Sequence, residues 1–343
     1  MRKIRVLVVE DSLVFRELLV RNLNMDSGIE VVATANDPFE ARDKIIEYKP
    51  DVMTLDIELP KMNGIEFLRK LMPQYPMPVV MLSSLSDKVF DALSAGAVDF
   101  VAKPKVTDRK QLEDFARNEL PVKIKIASVA KIGTIKKNIV PDTTASSDGK
   151  IKKDIVVAIG ASTGGTEATA AIVKSFGTDI PGIVITQHMP PGFTEMYANR
   201  LNNSCKIKVK EAKTGDMIVP GQALLAPGGD AHMKVVKGNG GYQVVIQHGP
   251  KVNGHCPSVD VLFDSVANAA GPNAIGIILT GMGGDGAKGL LSMRNRGART
   301  IGQDESTCVV YGMPKVAKDI GAVEYQEKLQ DIARRTYTIL RSM

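Results

Sequence analysis

The feature that most constrains the fold of this chain is a repeated alternation of short apolar runs with longer amphipathic stretches. In residues 4–119, five such runs are each followed by a stretch with helical spacing, as in FEARDKIIEY and GIEFLRKLM. The runs are IRVLVVED, VVATA, DVMTLD, PVVMLSS and DFVAKP. Near-continuous apolar strands separated by helices are typical of a parallel sheet that helices cover on both faces. Residues 1–120 are therefore predicted to form a (βα)5 domain.

A second alternating region starts at Asp154. Its predicted strands are IVVAIG, GIVITQH, KIKVKEA, QALLAP, AIGIILTG and RTIGQ, and HMKVVKGNGGYQVVIQH is predicted to be a hairpin that turns at GNGG. Helical spacing follows most of these runs, as in EATAAIVKSF and SVDVLFDSVANAA. Residues 154–343 are therefore predicted to form a larger doubly wound, mostly parallel α/β domain with a β-hairpin.

Residues 121–153 differ in composition from both flanking regions. They contain 8 Lys/Arg against 2 Asp/Glu, whereas residues 1–120 contain 17 against 20 and residues 154–343 contain 19 against 16. Their lysines, serines and threonines show weak periodicity, which indicates a linker. Because most of the net charge of +6 lies in this segment, neither domain is strongly basic, and we expect no nucleic-acid partner.

Cysteine usage and hydropathy predict a cytoplasmic protein. Cys205, Cys256 and Cys308 are scattered, odd in number and without metal-binding spacing, as is typical of a reducing compartment. The apolar run in MRKIRVLVVEDS is too short for a signal peptide. No run approaches the about 20 apolar residues that cross a bilayer, so we expect no membrane insertion.

Polar residues collect at the predicted carboxyl ends of the strands in the first domain. They are Glu10, Asp11, Asp56, Ser83 and Lys103. Because such strand ends meet at one edge of a sheet, three carboxylates converge there, and their repulsion calls for a hard cation such as Mg²⁺. Asp56 could then attack a phosphoryl donor, with Lys103 and Ser83 contacting the transferred oxygens. Ordinary polar caps on strand ends are the alternative.

Residues 1–120 resemble the receiver domain of two-component response regulators. The resemblance rests on Glu10-Asp11, Asp56 within DIELP, Ser83, Phe100 and Lys103-Pro104. It implies a flavodoxin-like fold and Mg²⁺-dependent phosphorylation of Asp56 by a histidine kinase. The implied metal-site residues are Glu10, Asp11, Asp56 and, through its main-chain carbonyl, Glu58. The implied switch residues are Ser83, Lys103 and Phe100, which stands where many relatives have Tyr.

The segment GASTGG, residues 160–165, leaves three interpretations open. It lies between an apolar run and a predicted helix, so its small residues allow a sharp turn that exposes Ser162. The pattern G-x-S-x-G fits a nucleophile elbow. Glycine-rich turns before helices also bind phosphate, although the P-loop lysine and the G-x-G-x-x-G spacing are missing. A purely structural turn is the third interpretation.

Two other strand ends favour the interpretation of Ser162 as a nucleophile. GIVITQH ends in His188, and AIGIILTG is followed by a glycine-rich turn that contains Asp285. A hydroxyl, a general base and a carboxylate that orients the base are the groups that acyl transfer requires. His232 and His255 could also line the pocket.

For three neighbouring polar residues, the sequence offers little support for a functional role. Cys256 has no partner from which a thiol nucleophile can be argued. Asp260 and Asp264 share one face of a predicted helix and are interpreted as solvated.

Residues 154–343 resemble the catalytic domain of the chemotaxis protein-glutamate methylesterases (CheB type). The resemblance rests on GASTGG, QHMPPGFT, LLAPGGDAHM, PSVDVLFDS, TGMGGDGA and VYGMP. It implies that Ser162 is the nucleophile, His188 the base and Asp285 the carboxylate. It also places Thr163 and the Met282 amide at the oxyanion or substrate-positioning site.

The two resemblances together imply a phosphorylation-activated enzyme of chemotaxis adaptation. Its substrates would be methyl-accepting chemotaxis receptors, whose glutamate γ-methyl esters it hydrolyses to release methanol and whose glutamines it deamidates. The chemotaxis histidine kinase would phosphorylate Asp56 and thereby relieve inhibition of the active site. Hydrolysis would need no cofactor, and a monomer is expected. A receiver-gated binding module and a transcriptional regulator are the alternatives; the intact Ser, His and Asp and the lack of a helix-turn-helix pattern argue against them.

Overall fold

The apolar runs of the sequence form the strands of two separate units. The computed structural model describes residues 2–84, 86–104, 108–133 and 154–343. The chain divides into Met1–Gly133 and Thr134–Met343. Within the described ranges, no helix combines the length and apolarity needed to cross a membrane.

The first unit contains a five-stranded parallel sheet with the order β2-β1-β3-β4-β5. Its strands are β1 (Ile4–Val9), β2 (Ile29–Ala35), β3 (Val52–Asp56), β4 (Val79–Ser83) and β5 (Asp99–Ala102). Every residue of β3 and β4 is buried, as expected for inner strands covered on both faces. The strand order places the carboxyl end of β3 between those of β1 and β4. The predicted flavodoxin-like fold is confirmed.

The helices of the first unit alternate with these strands. They are α1 (Leu13–Leu23), α2 (Pro38–Tyr48), α3 (Gly64–Leu71), α4 (Lys88–Ala95), α5 (Arg109–Asp114) and, after a π-helical turn at Phe115–Glu119, α6 (Leu120–Ser128). Side chains of Ser12, Asp37 and Asn63 accept main-chain N–H groups at the starts of α1, α2 and α3. Such caps satisfy donors that have no partner inside the helix.

Helix α6 lies where the sequence analysis placed the start of the linker. Leu120, Ile124 and Ala127 are fully buried, and α6 contacts β3, β4 and β5. The spacing of these residues is helical, but the lysines between them obscured the apolar face. The first unit therefore continues beyond residue 120. Residues 134–153 of the predicted linker lie outside the described residues.

The second unit contains a seven-stranded parallel sheet with the order β14-β13-β12-β6-β7-β9-β8. Its strands are β6 (Val156–Ala161), β7 (Gly182–Gln187), β8 (Lys208–Glu211), β9 (Gln222–Leu225), β12 (Ala274–Ile278), β13 (Arg299–Gln303) and β14 (Tyr325–Glu327). From β6 the chain builds outward first through β7 and later through β12 on the other side. The carboxyl end of β6 is therefore at the switch point, where doubly wound sheets bind ligands.

Helices and a hairpin complete the second unit. The helices are α7 (Gly165–Ser175), α8 (Phe193–Ser204), α9 (Val259–Ala270), α10 (Ala287–Asn295), α11 (Met313–Asp319) and α12 (Leu329–Ser342). The hairpin of β10 (Ala231–Gly238) and β11 (Gly241–His248) is antiparallel and packs on α9. The predicted fold class is confirmed. Helix α11 and strand β14 were not predicted from the sequence, because they are only seven and three residues long.

Candidate functional site

The predicted acidic cluster forms at the carboxyl edge of the first sheet. Carboxylate oxygens of Glu10, Asp11 and Asp56 all lie within 4.8 Å of one another. Lys103 Nζ is 2.8 Å from Glu10 Oε2 and 2.6 Å from Asp56 Oδ2. No pattern in the sequence indicated Phe15, whose ring centroid is 5.0 Å from the same ammonium. The strand order thus assembles three carboxylates, of which Glu10 and Asp56 contact Lys103.

One lysine does not balance the negative charge of this cluster. Burial raises the pKa of Glu10 to about 7 although Lys103 lowers it, and burial likewise raises the pKa of Asp56 against the effect of Lys103. Burial alone would lower the pKa of Lys103. The carboxylates of Asp56 and Glu10 outweigh this effect, so the lysine pKa is raised. Clustered hard oxygen donors with surplus negative charge fit Mg²⁺.

The remaining predicted residues of the first site lie around Asp56. The main-chain N–H of Glu58 donates to Asp56 Oδ1 at 3.3 Å. Glu58 and Asp11 line a cleft of about 540 Å³. Ser83 ends β4 and donates its hydroxyl proton to the Ser84 carbonyl at 2.7 Å rather than to Asp56. Phe100 lies on β5 and is buried.

In the second unit, strand register brings Ser162 and His188 to neighbouring positions. Ala161 pairs with Gln187 across β6 and β7, and Ser162 and His188 are the next residues of the two chains. The His188 N–H donates to the Ala161 carbonyl at 3.1 Å, and the Ser162 N–H donates to Thr280 O at 3.0 Å. Since neighbouring strands lie about 4.8 Å apart, the hydroxyl and the imidazole belong to one local site.

The turn that carries Ser162 depends on glycine at two positions. Gly164 has a φ of +75°, which side chains rarely tolerate. A Cβ on Gly281, which follows β12, would lie 2.6 Å from the Ser162 Cβ. The strand therefore turns sharply into α7 with a second backbone close against Ser162, as in a nucleophile elbow.

His188 contacts Asp285 directly. His188 Nε2 lies 2.8 Å from Asp285 Oδ2. In the described part of the chain, His188 Nδ1 and the Ser162 hydroxyl each have no hydrogen-bond partner. If Nε2 carries the proton that Asp285 accepts, Nδ1 presents a lone pair. Nδ1 is therefore available as a base.

Asp285 lies at the amino end of α9. Its carboxylate accepts main-chain N–H groups of Val259 at 2.7 Å and Asp260 at 3.2 Å, the Ser258 hydroxyl at 2.7 Å and the Asn253 amide at 2.9 Å. Burial raises the pKa of Asp285, but hydrogen bonds from His188, Asn253 and Ser258 outweigh it and hold the pKa well below its usual range. A helix amino terminus also favours an anion. The carboxylate is therefore held ionised.

The structure distinguishes the other histidines and aspartates of this region. His232 is buried, accepting the Ser258 N–H at Nδ1 and lying 2.9 Å from Pro250 O through Nε2, so it is structural. His255 stacks on His188. The interpretation of Asp260 as solvated is wrong: it is buried and accepts the Gly289 N–H at 2.7 Å, and burial raises its pKa. A two-residue pattern on one helix face could not reveal that α10 covers this position.

The predicted oxyanion residues lie beside Ser162. Thr163 is buried, and its carbonyl accepts the Thr280 hydroxyl at 3.0 Å. Met282 follows Gly281 on the turn after β12, with 44% of its surface exposed. Its main-chain N–H donates to no other residue within the described ranges. An unbonded N–H close to the nucleophile is what oxyanion stabilisation requires.

Comparisons with known proteins identify the family. Sequence profiles described as CheB methylesterase and as response regulator receiver domain match residues 157–336 and 6–115. The protein-glutamate methylesterase/protein-glutamine glutaminase 2 of Syntrophomonas wolfei is 58% identical over 343 residues, which cover 100% of this chain and 99% of that protein. The chain belongs to the CheB methylesterase family. The resemblance inferred from the sequence is confirmed.

Further relatives show how far the similarity extends. The CheB-family protein-glutamate methylesterase/protein-glutamine glutaminase of Salmonella typhi is 47% identical over 339 residues, covering 98% of this chain and 96% of that protein. The crystal structure of the Thermotoga maritima CheB methylesterase catalytic domain aligns with a TM-score of 0.53 and 35% identity, over 55% of this chain and 100% of that chain. The similarity therefore includes both domains of the chain.

Proposed function

We propose that this chain hydrolyses γ-methyl esters of glutamate side chains in methyl-accepting chemotaxis receptors and deamidates receptor glutamines at the same site. The observation that carries the proposal is the 2.8 Å contact of His188 with Asp285, together with the register that places His188 beside Ser162. The names of the relatives describe both reactions. The chain would act in the cytoplasm as a monomer.

The proposed reaction uses the three side chains in sequence. The Ser162 oxygen attacks the ester carbonyl as His188 Nδ1 takes its proton, and the Met282 N–H stabilises the oxyanion together with Thr163. The carbonyl–methoxide bond then breaks, and His188 protonates the methoxide to methanol. Water attacks the acyl-serine with His188 again as base, which releases glutamate and restores Ser162. With glutamine, the leaving group is ammonia.

Asp285 supports this cycle as a permanent anion. It holds the Nε2 proton and stabilises the imidazolium that forms when Nδ1 is protonated. The separation between Ser162 and His188 side chains is expected to tighten when substrate binds, as is common for catalytic hydrogen bonds. No cofactor is needed for these steps.

The first domain supplies regulation in this proposal. Asp56 is phosphorylated by the chemotaxis histidine kinase, which relieves inhibition of the second domain. Glu10, Asp11, Asp56 and the Glu58 carbonyl would hold Mg²⁺, which would neutralise the oxygens of the transferred phosphoryl group. Lys103 contributes a second positive charge, and Ser83 and Phe100 respond to the modified Asp56. The buried, charge-rich cluster supports this assignment.

Methanol release from a methylated receptor tests the proposed nucleophile. Ser162→Ala should abolish methanol and ammonia release, whereas Ser204→Ala, an exposed serine at the end of α8, should retain both. Ammonia release from an unmodified receptor measures the deamidase separately. Full turnover by Ser162→Ala would show that another group is the nucleophile. A second domain that only binds receptor would release neither product in the wild type.

A further inference from the structure

A tight turn between the hairpin and α9 contacts both His188 and Asp285. Main-chain hydrogen bonds of 2.9 Å join Val252 and His255 in both directions. Asn253 and Gly254 between them have φ values of +52° and +83°. Two central residues with positive φ are typical of a type I′ turn, for which Asn-Gly is the preferred sequence. The turn therefore fixes the backbone positions from which the side chains of Asn253 and His255 extend.

The two side chains of this turn contact the proposed triad in different ways. The Asn253 amide donates to Asp285 Oδ1 at 2.9 Å and to Asp260 Oδ2 at 2.7 Å, which anchors the turn. The His255 ring stacks on the His188 ring with centroids 3.7 Å apart and planes inclined by 10°. His188 is thus contacted at its Nε2 edge by Asp285 and on its face by His255.

These two contacts restrain different motions of the imidazole. The hydrogen bond from Nε2 holds one atom of the ring, but the ring can still rotate because χ2 of histidine has broad minima. A stacked planar group prevents that rotation by steric contact on one face. Rotation would swing Nδ1 away from Ser162, so the plane of the ring matters for proton transfer.

We propose that His255 is a positioning residue that fixes the ring plane of His188 by stacking. The inference rests on the proposed Ser162–His188–Asp285 triad and adds a residue that acts only through His188. The planar shape of His255 is the property that matters, and its ability to carry a proton is not required. A planar aromatic side chain should therefore replace it, and a side chain without a planar face should not.

The test compares His255→Phe with His255→Leu and His255→Ala in the full-length chain. Methanol release from methylated receptor gives kcat and KM, and thermal unfolding shows that each variant is folded. We expect His255→Leu and His255→Ala to lower kcat about 10- to 100-fold with little change in KM, the loss typical of a misplaced catalytic group. His255→Phe should retain most of the wild-type kcat.

Each outcome of this comparison decides the inference. Equal loss of kcat in folded His255→Phe and His255→Leu would overturn stacking, and so would wild-type kcat in His255→Leu. If His255→Ala does not fold, the comparison of His255→Phe with His255→Leu still tests whether stacking positions His188. Failure of the proposed function is recognised separately, because either the wild type would then release no product or Ser162→Ala would keep turnover, whatever happens at His255.

Discussion

The two acidic sites of this chain occupy the same place in two similar sheets but have opposite electrostatics. Glu10, Asp11 and Asp56 lie close together, Lys103 contacts two of them, and burial raises the pKa of Glu10 and Asp56. Asp285 is also buried, yet its hydrogen-bond donors hold its pKa well below the usual range. Burial therefore does not by itself decide the charge of a carboxylate; the supply of donors does.

The difference in hydrogen-bond donors is what we expect between a site whose charge changes, the first cluster, and a site whose charge is constant, Asp285. The first cluster has more negative charge than its lysine neutralises, and in the proposed function it accepts a cation and then a phosphoryl group. Asp285 has a helix amino terminus, a hydroxyl, an amide and an imidazole around it, so its charge is compensated already. The comparison predicts that Mg²⁺ and phosphorylation change the properties of the first site. Substitution of hydrogen-bond donors should change the properties of the second.

The largest expected effect is complete loss of phosphorylation in Asp56→Asn. An amide cannot form the acyl phosphate, so a small phosphodonor with Mg²⁺ should label the wild type and leave the variant unlabelled. Methanol release should rise with the phosphodonor in the wild type only. Asp43→Asn, an exposed residue of α2 paired with Arg42, is the matched control and should be labelled normally. Labelling of Asp56→Asn would mean that another carboxylate is the acceptor.

The next largest effect is expected for Asp285→Asn. The amide cannot stabilise the imidazolium and favours the wrong tautomer of His188, so kcat should fall about 10³- to 10⁴-fold. Asp264→Asn changes an exposed carboxylate of α9 and should have wild-type kcat. Methanol release and thermal unfolding measure both variants. A folded Asp285→Asn with nearly normal kcat would contradict the view that this carboxylate serves the reaction.

A smaller effect distinguishes the sites by their response to Mg²⁺. At a Mg²⁺ concentration of ten times Kd, binding should stabilise the first domain by about 1.4 kcal/mol. Asp11→Asn should remove most of this gain by deleting one oxygen ligand, and Asp43→Asn should keep it. Thermal unfolding of the full-length chain with and without MgCl₂ measures the shift. An equal gain in Asp11→Asn would place the ion elsewhere.

Much of both sites follows from the sequence because parallel strands end at one edge. Asp56 and Lys103 could be grouped from the strand ends alone, and so could Ser162, His188 and Asp285. Each of these residues ends an apolar run or lies in the turn that follows one, so a local pattern was enough. The roles of the triad residues remain predictions that the kinetic variants test.

Other features depend on contacts between distant segments and left no local signal. Ser258 caps α9 and donates to Asp285, and nothing in the sequence connects these two residues. The turn at residues 252–255 lies against His188, and its position depends on how the hairpin packs against α9. The burial of Asp260 likewise requires α10. The positions of the loops that cover a site therefore could not be predicted from the sequence.

The smallest expected effect on kcat concerns one donor to Asp285. The Ser258 hydroxyl donates to Asp285 at 2.7 Å and also accepts the Val261 N–H at 3.4 Å as the cap of α9. Ser258→Ala should lower the unfolding free energy by about 1 kcal/mol from the cap. Loss of a hydrogen bond to a charged group adds about 1.5 kcal/mol. The pKa of Asp285 should rise, and kcat should fall far less than in Asp285→Asn.

The dependence of this loss on pH separates the two roles of the hydroxyl. Because the folded pKa of Asp285 is depressed, the stability that its charge contributes is complete above its unfolded pKa and is lost as pH falls through the folded pKa. Because the unfolded state titrates alike in both proteins, the difference in unfolding free energy between wild type and Ser258→Ala should stay constant from pH 7 down through the usual range of carboxyl pKa values. It should shrink only at lower pH, where Asp285 becomes protonated in the folded proteins. Ser12→Ala removes a cap with the same 3.4 Å contact from α1, and it should show no shrinkage that involves Asp285. A difference for Ser258→Ala that stays constant down to the lowest pH at which both proteins fold would mean that the hydroxyl acts only as a cap and that the remaining donors already hold Asp285 ionised.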